Sequence, residues 1–277
     1  NSVSAAGGAN GIVLAHATGS FAVTGDGALA QNGTGGTIQN TTGNGVHLDN
    51  VVNVSLARMN LNNSLANGLY GQNVNGLVLD WCRLSNNGDA TDEGGIRLGN
   101  PLGANGLVGT LPGGANPTRL ANTLIRASGE MNVAIFNSGG TLAQLEVTNV
   151  VSQDTRTRPL GADGFFFETR GAASATVHFT SCGFSNNVTQ GIQASALAQS
   201  VLSVTVTNCA FANNNEGVVL VNANDADIVF DLNGNAFFNN LATGASGAAI
   251  AAVNATTVTP SAIYSGKIRN NTINGGG

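Results

Sequence analysis

The chain has 277 residues, a formal net charge of −5, 42% hydrophobic residues and only 9% charged ones. That much apolar content with so little charge excludes a disordered segment, and 10 Lys and Arg with no cluster among them do not supply the run of cations a phosphate backbone needs. No stretch of about 18 apolar residues occurs, so no membrane-spanning helix is expected, and three cysteines, an odd number, do not suggest a disulfide framework.

Residues 1–36 carry strand-like patterning at Ile12-Val13-Leu14 and Phe21-Ala22-Val23, with a weak repeat register. From Gly45 a short unit recurs: Gly or Asn, an apolar residue, any residue, an apolar residue. It reads Gly45-Val46-His47-Leu48, Gly68-Leu69-Tyr70-Gly71, Gly95-Ile96-Arg97-Leu98 and Asn132-Val133-Ala134-Ile135. It continues as Gly164-Phe165-Phe166-Phe167, Gly191-Ile192-Gln193-Ala194 and Gly217-Val218-Val219-Leu220, with a weaker copy at Ala248-Ala249-Ile250-Ala251. The spacings are 23, 27, 37, 32, 27, 26 and 31 residues. Alternation with a period of two predicts a strand with one buried face.

A second unit follows each copy of the first. Examples are Leu56 to Leu61, Leu79 to Leu84, Phe179 to Phe184, Val206 to Phe211, Leu232 to Phe237 and Ile268 to Ile273, with Leu120 to Ile125 in the same series. The Val147 to Val151 copy reads as one residue short. Asn pairs follow at Asn62-Asn63, Asn86-Asn87, Asn186-Asn187, Asn213-Asn214 and Asn239-Asn240. Asn tolerates the left-handed region and its amide can bond a stacked amide, so a turn ladder is expected.

Such a unit cannot bury its apolar face alone, but stacked copies can. The expected fold is all-β, a right-handed single-stranded parallel β-helix of roughly nine coils without helical caps, one domain over 1–277. Leu61, Leu84, Phe184, Phe211, Phe237 and Ile273 should form one inward row, and Val46, Leu69, Ile96, Val133, Phe165, Ile192 and Val218 another. Insertions interrupt the period near 99–118, which either loops out or adds an irregular coil, and near 153–163, the most charged stretch. The absence of a leader pattern at Asn1 and the close at Gly277 read as a mature or excised piece of a longer chain.

This pattern of Gly-led strands, Asn-Cys-containing strands and Asn turns resembles the parallel β-helix repeats of very large bacterial surface and secreted proteins, over about 35–274. The resemblance implies an extracellular stalk, adhesin or matrix component. The same fold also carries pectate-lyase-like enzymes and polygalacturonases, but their paired-Asp motifs are missing here, so no catalytic residue is carried over. If the chain were an enzyme, it would be a polysaccharide lyase or a glycoside hydrolase.

Cys82, Cys182 and Cys209 share one repeat position with Met59, Asn235 and Asn271, and read as small core residues. His16, His47 and His178 lie in different coils in no zinc-binding pattern. The best candidate ligand edge is Asp89, Asp92, Glu93, Glu130, Asp154, Arg156, Arg158, Asp163 and Glu216, which all precede a copy of the first strand and should share one edge. Asp154 and Asp163 are candidate Ca²⁺ ligands there, Ca²⁺ being the one cofactor considered, and two carboxylates across a sugar bond would suit glycoside hydrolysis. A solvated, mutually paired turn edge is the plainer reading. Sequons at Asn32, Asn53, Asn187 and Asn254 arise by chance in so Asn-rich a chain. The expected partners are the chain itself, stacked head to tail into a fibre, or flanking domains of a longer chain, with glycans as candidate ligands.

Overall fold

The computed structural model describes residues 1–156, 161–240, 248–255 and 262–275. These residues form β-strands and no helix, and their strands pair in parallel. Ten strands make one sheet in strict chain order, and the other strands make a second, larger sheet. The second sheet holds two files of strands, joined where Val46–Ala57 and Leu69–Asp80 run through both. Each pass of the chain lies beside the previous one, an arrangement consistent with a parallel β-solenoid. The return takes 23 residues at Val46–Leu69 and 37 at Ile96–Val133.

The register places like over like. Ile12, Val46, Leu69, Ile96, Val133, Phe165, Ile192, Val218 and Ile250 face one another pair by pair. The second row runs Ala5, Ile38, Leu61, Leu84, Ile125, Ser152, Phe184, Phe211, Phe237, Ile273. A third runs Val23, Leu56, Leu79, Leu120, Val147, Phe179, Val206, Leu232 and Ile268, and further buried rows flank these three in the same core. Both predicted rows are in register, and the pairing reaches back to Ala5 and Ile12, where the sequence pattern is weakest. Phe184, Phe211 and Phe237 stack with ring centroids 5.1 and 4.8 Å apart and planes within 10°.

The glycine that opens the first unit has a steric cause. A Cβ on Gly191 would lie 2.7 Å from Phe211, and one on Gly217 would lie 2.6 Å from Phe237. Asn132 and Ala249 depart from this rule, and the first explains itself. Asn132 takes the glycine position where the opposing core position is Ser152 rather than an aromatic, and its amide donates to Ser152 Oγ at 3.1 Å and to the Gln153 carbonyl at 2.9 Å. Ser152 Oγ in turn donates to the Gly164 carbonyl at 2.8 Å. The copy at Val147 to Val151 is therefore not short. It has full length, with Val150 in the thiol position and a hydrogen-bonded serine at its core position.

Two further registers differ from the sequence reading by one residue. Ile250, not Ala249, pairs with Val218, because the Ala-rich run offers no contrast between facing positions. Asn62 pairs with Ser85, so the turn of that pass is Asn63-Ser64 rather than Asn62-Asn63. The insertion near 99–118 does both of the things expected of it. Leu107–Val108 returns to pair with Val74 and Asn75 and buries Leu107, while Leu102 and Leu111 on either side are exposed.

The turns form two rows. Asn40, Asn63, Asn86, Ala127, Asp154, Asn186, Asn213 and Asn239 all hold φ between 48° and 57°. That region costs most L-residues energy and Asn little, so Asn recurs there. The next residue turns inward: Thr41, Ser64, Asn87, Ser128, Thr155, Asn187, Asn214 and Asn240 are all buried. The amide of Asn187 donates to Asn214 Oδ1 at 2.9 Å and that of Asn214 to Asn240 Oδ1 at 3.1 Å. Each also caps a backbone carbonyl of the preceding strand, as Asn214 does for Phe184 at 3.0 Å. Buried amides satisfied on both sides stabilise the stack, and one left unpaired would cost it.

Phe211→Ala should destabilise by about 3–5 kcal/mol, because it opens a cavity between two stacked rings. Thr207→Ala, at an outward position of the preceding strand, should stay within about 0.5 kcal/mol of wild type. Urea denaturation measures both, and equal effects would contradict the assigned facing.

Candidate functional site

The edge between the turn rows and the first strand file gathers six of the chain's 15 acidic residues, Asp89, Asp92, Glu93, Glu130, Asp163 and Glu216. It is built from the segments just before Ile96, Val133, Phe165 and Val218, whose mutual register is fixed by the strands they lead into. Glu130 is 2% exposed, and its Oε2 accepts from the Asp92 amide at 2.6 Å. Asp163, also 2% exposed, accepts from the Gln190 amide at 3.1 Å and from the Thr189 hydroxyl. Gln190 lies one pass further on and donates from Nε2 to Glu216 Oε2 at 2.5 Å.

These groups perturb one another. Burial pushes the Asp163 carboxyl up to about 6, against the bonds from Thr189 and Gln190, and the charges of Glu216 and Glu130 add to the rise. Desolvation and like charge thus both disfavour its ionised form.

The other predicted residues sit around this row. Glu93 Oε2 accepts from the amides of Asp89 and Ala90 at 3.0 and 2.9 Å, closing its own loop. Asp92 lies 3.2 Å from Arg97 Nη1. Arg156 Nη2 donates to the Gly88 carbonyl at 2.9 Å. Asp154 belongs to the outer turn row, where its carboxylate accepts from Asn186 at 3.1 Å and from Gln153 at 2.7 Å. Arg158 lies outside the described residues. Asp154 and Asp163 occupy different rows, and among the described residues no three His, Cys, Asp or Glu come together as a metal site.

A second cluster escaped the sequence reading. On the outer face of the first strand file, Arg97, Ala134 and Phe166 line up across three strands, with Phe136 and Glu168 two residues further along the second and third of them. Phe136 and Phe166 meet at 5.2 Å and the Arg97 guanidinium sits 5.1 Å from the Phe136 centroid, a cation–π contact. Arg170 pairs with Glu168 at 2.5 Å and donates to the Pro101 carbonyl. Burial raises the Glu168 carboxyl above its ordinary value, opposed by Arg170. The signal was present in the sequence: Phe136 and Phe166 fall at outward positions of their strands, where a soluble repeat ordinarily carries a polar residue.

Together these contacts fasten loops to the stack. Arg97 ties down the 88–93 loop, Arg170 the 99–106 loop and Arg156 the start of the 153–163 insertion. The crevice bounded by Glu93, Arg97, Glu130, Met131 and Ala134 has no room for a water molecule, whereas small-molecule sites hold roughly 300–1,000 Å³. A larger depression of about 390 Å³ lies on the other strand file around Gly266, rimmed by Ser203, Thr205, Asp231, Ser265 and Lys267. Asp231 is held by Arg269 through contacts of 3.1 and 2.6 Å, and that partner lowers its carboxyl below the ordinary range. Elsewhere on this face Arg119 pairs with Asp80 at 2.8 Å and His178 lies 3.4 Å from Glu146.

Compared with protein-family models, curated proteins and solved structures, the chain matches none. No helix among the described residues is long and apolar enough to cross a membrane.

Asp163 sets a pH dependence whose sign follows from its raised value. The group costs nothing below its unfolded value near 4, and its penalty grows as pH rises through about 6. Asp163→Asn keeps the acceptor oxygen and removes the charge. The variant should match wild type near pH 4 and exceed it by on the order of 3 kcal/mol at pH 7. Denaturation at several pH values measures the gap, and a gap independent of pH would contradict the assignment.

Proposed function

We propose that the chain is a right-handed, single-stranded parallel β-helix of about nine coils that serves as an extracellular structural or adhesive module, presenting varied loops along one edge of a rigid rod. The observation that carries this reading is the use made of the charged side chains. On the open sheet face Arg119, His178 and Arg269 each sit against a carboxylate, and at the loop edge Arg97, Arg156 and Arg170 hold loops down. A catalytic groove instead keeps charged groups converging on open space. The resemblance to bacterial surface and secreted repeats supports the extracellular placement, and the low charge suits it.

The inward rows also support stacking. In the last described pass Ile268 and Ile273, which occupy core rows, are 53% and 54% exposed. We read this surface as the seat of a further turn of the same kind, supplied by a continuing chain or by a second copy stacked head to tail, the contact that builds fibres.

The rival reading, a polysaccharide-binding or polysaccharide-cleaving solenoid, rests on the depression around Gly266 with its hydroxyl and charged rim. A reducing-sugar assay on acidic polysaccharides, run with and without Ca²⁺, separates the two. The structural reading predicts no release of ends in either condition, and turnover in either would overturn it.

A further inference from the structure

A second row of left-handed turns runs Arg58, Trp81, Asn122, Asn149, Ser181, Asn208 and Gly234, and the residues just after it are Met59, Cys82, Thr123, Val150, Cys182, Cys209 and Asn235, as fixed by the strands that follow. Two of the three cysteines are therefore neighbours on adjacent passes, and the third is not. The Cys182 amide donates to Cys209 Sγ at 3.3 Å, while the Cys182 thiol points to the Val147 carbonyl at 3.2 Å and the Cys209 thiol to the Thr207 carbonyl at 3.4 Å. Cys82 has Met59 on one side and Thr123 on the other, and its thiol points to the Leu56 carbonyl at 3.3 Å. All three are free and buried.

We propose that Cys182 and Cys209 form a latent disulfide site, a cross-turn clip that closes when the chain folds in an oxidising compartment. Parallel strands lie about 4.8 Å apart, inside the roughly 4.4–6.8 Å between Cα atoms that a disulfide spans. In-register stacking thus brings together two residues 27 apart in sequence with no special loop to position them. The oxidant is a small-molecule disulfide. Cys182, as thiolate, attacks one of its sulfurs, forms a mixed disulfide and releases one small thiolate. Cys209, as thiolate, then attacks the Cys182 sulfur, forms the protein disulfide and releases the second. The protons lost by the two cysteines leave on the two small thiols, so two protein thiols and one small disulfide give one protein disulfide and two small thiols.

The surroundings favour this order. A thiolate at Cys182 is held by the Cys209 S–H, which lowers its value, whereas burial and the neighbouring sulfur raise that of Cys209. Burial, with a smaller contribution from the Asp80 charge, pushes the isolated Cys82 thiol up to about 11, which keeps it protonated and slow to exchange. Because both partners are buried in the finished stack, the mixed disulfide forms while the second of the two passes is still docking.

The full chain should be refolded in a mixture of oxidised and reduced glutathione, then alkylated in denaturant and mapped by mass spectrometry. The expected product is lighter by two hydrogen atoms, with Cys182 and Cys209 in one cross-linked peptide pair and Cys82 alone alkylated. Cys82→Ser should keep the linkage, and Cys182→Ser should lose it and leave two alkylated cysteines. The Cys82 variant leaves the pair untouched, so the test survives if the Cys182 variant folds poorly. Three alkylated cysteines in wild type, or linkages that include Cys82, would overturn the proposal.

Discussion

Parallel pairing that sets like over like, with a shift of register at Leu142/Leu145, is the constraint from which the rest of this structure follows. It sets each residue beside its counterpart one pass earlier and one pass later, at the spacing of hydrogen-bonded strands. Whatever a position costs, it costs again on every pass. Apolar rows answer this by burying side chain against like side chain, and the flat overlap of Phe184, Phe211 and Phe237 is the clearest instance. Turn positions answer it with a residue that accepts positive φ cheaply and whose amide can bond its own kind. A buried Asn would be expensive alone, yet it is satisfied when the next Asn supplies an acceptor and the strand below supplies a carbonyl.

Departures from the repeat are compensated locally. Where the opening glycine becomes Asn132, the opposing core residue becomes Ser152, and the pair bonds inside the column. Where loops leave the stack, the outer face changes character to receive them: Phe136, Phe166 and Arg97 form a small outer cluster in which a soluble repeat would carry exposed polar groups. The buried carboxyl of Asp163 fits less well. Its two donors do not offset burial beside Glu130 and Glu216, and this carboxyl marks a place where the stack gives up stability.

How much of this was legible in the sequence depended on contrast between neighbouring positions. Strands with a bulky residue at every second place, such as Phe179 to Phe184, revealed their facing and register directly. The Ala-rich run before Ile250 did not, because its inward and outward residues are nearly the same size, and the register was misread by one. Ser152 was hidden because a polar residue in an apolar row looks like a deletion until its partner Asn132, 20 residues away, is seen to share the interior. Counting back from the strand starts expects Glu93, Glu130, Asp163 and Glu216 on one edge, and in the structure the charges of Glu130 and Glu216 act on Asp163. The bonding of Asp154 within the Asn row could not be read, since an aspartate in a turn carries the same signal whether it faces solvent or a stacked amide. Arg97 and Arg170 were passed over because an outward charge on a strand is ordinary, and only the packed loops give it a task.

The claim beneath all of this is that position along the column is set by the number of passes and not by the number of residues. Spin labels on one outward file test it directly, since Ser55, Val78, Arg119, Glu146, His178, Thr205, Asp231 and Lys267 are successive register partners. Labels at Ser55→Cys and Thr205→Cys are five passes apart and should show a dipolar distance of about 24 Å, and labels at Ser55→Cys and Lys267→Cys, seven passes apart, about 34 Å. Distances that fail to grow in proportion to the passes between the labels would contradict the stacked column.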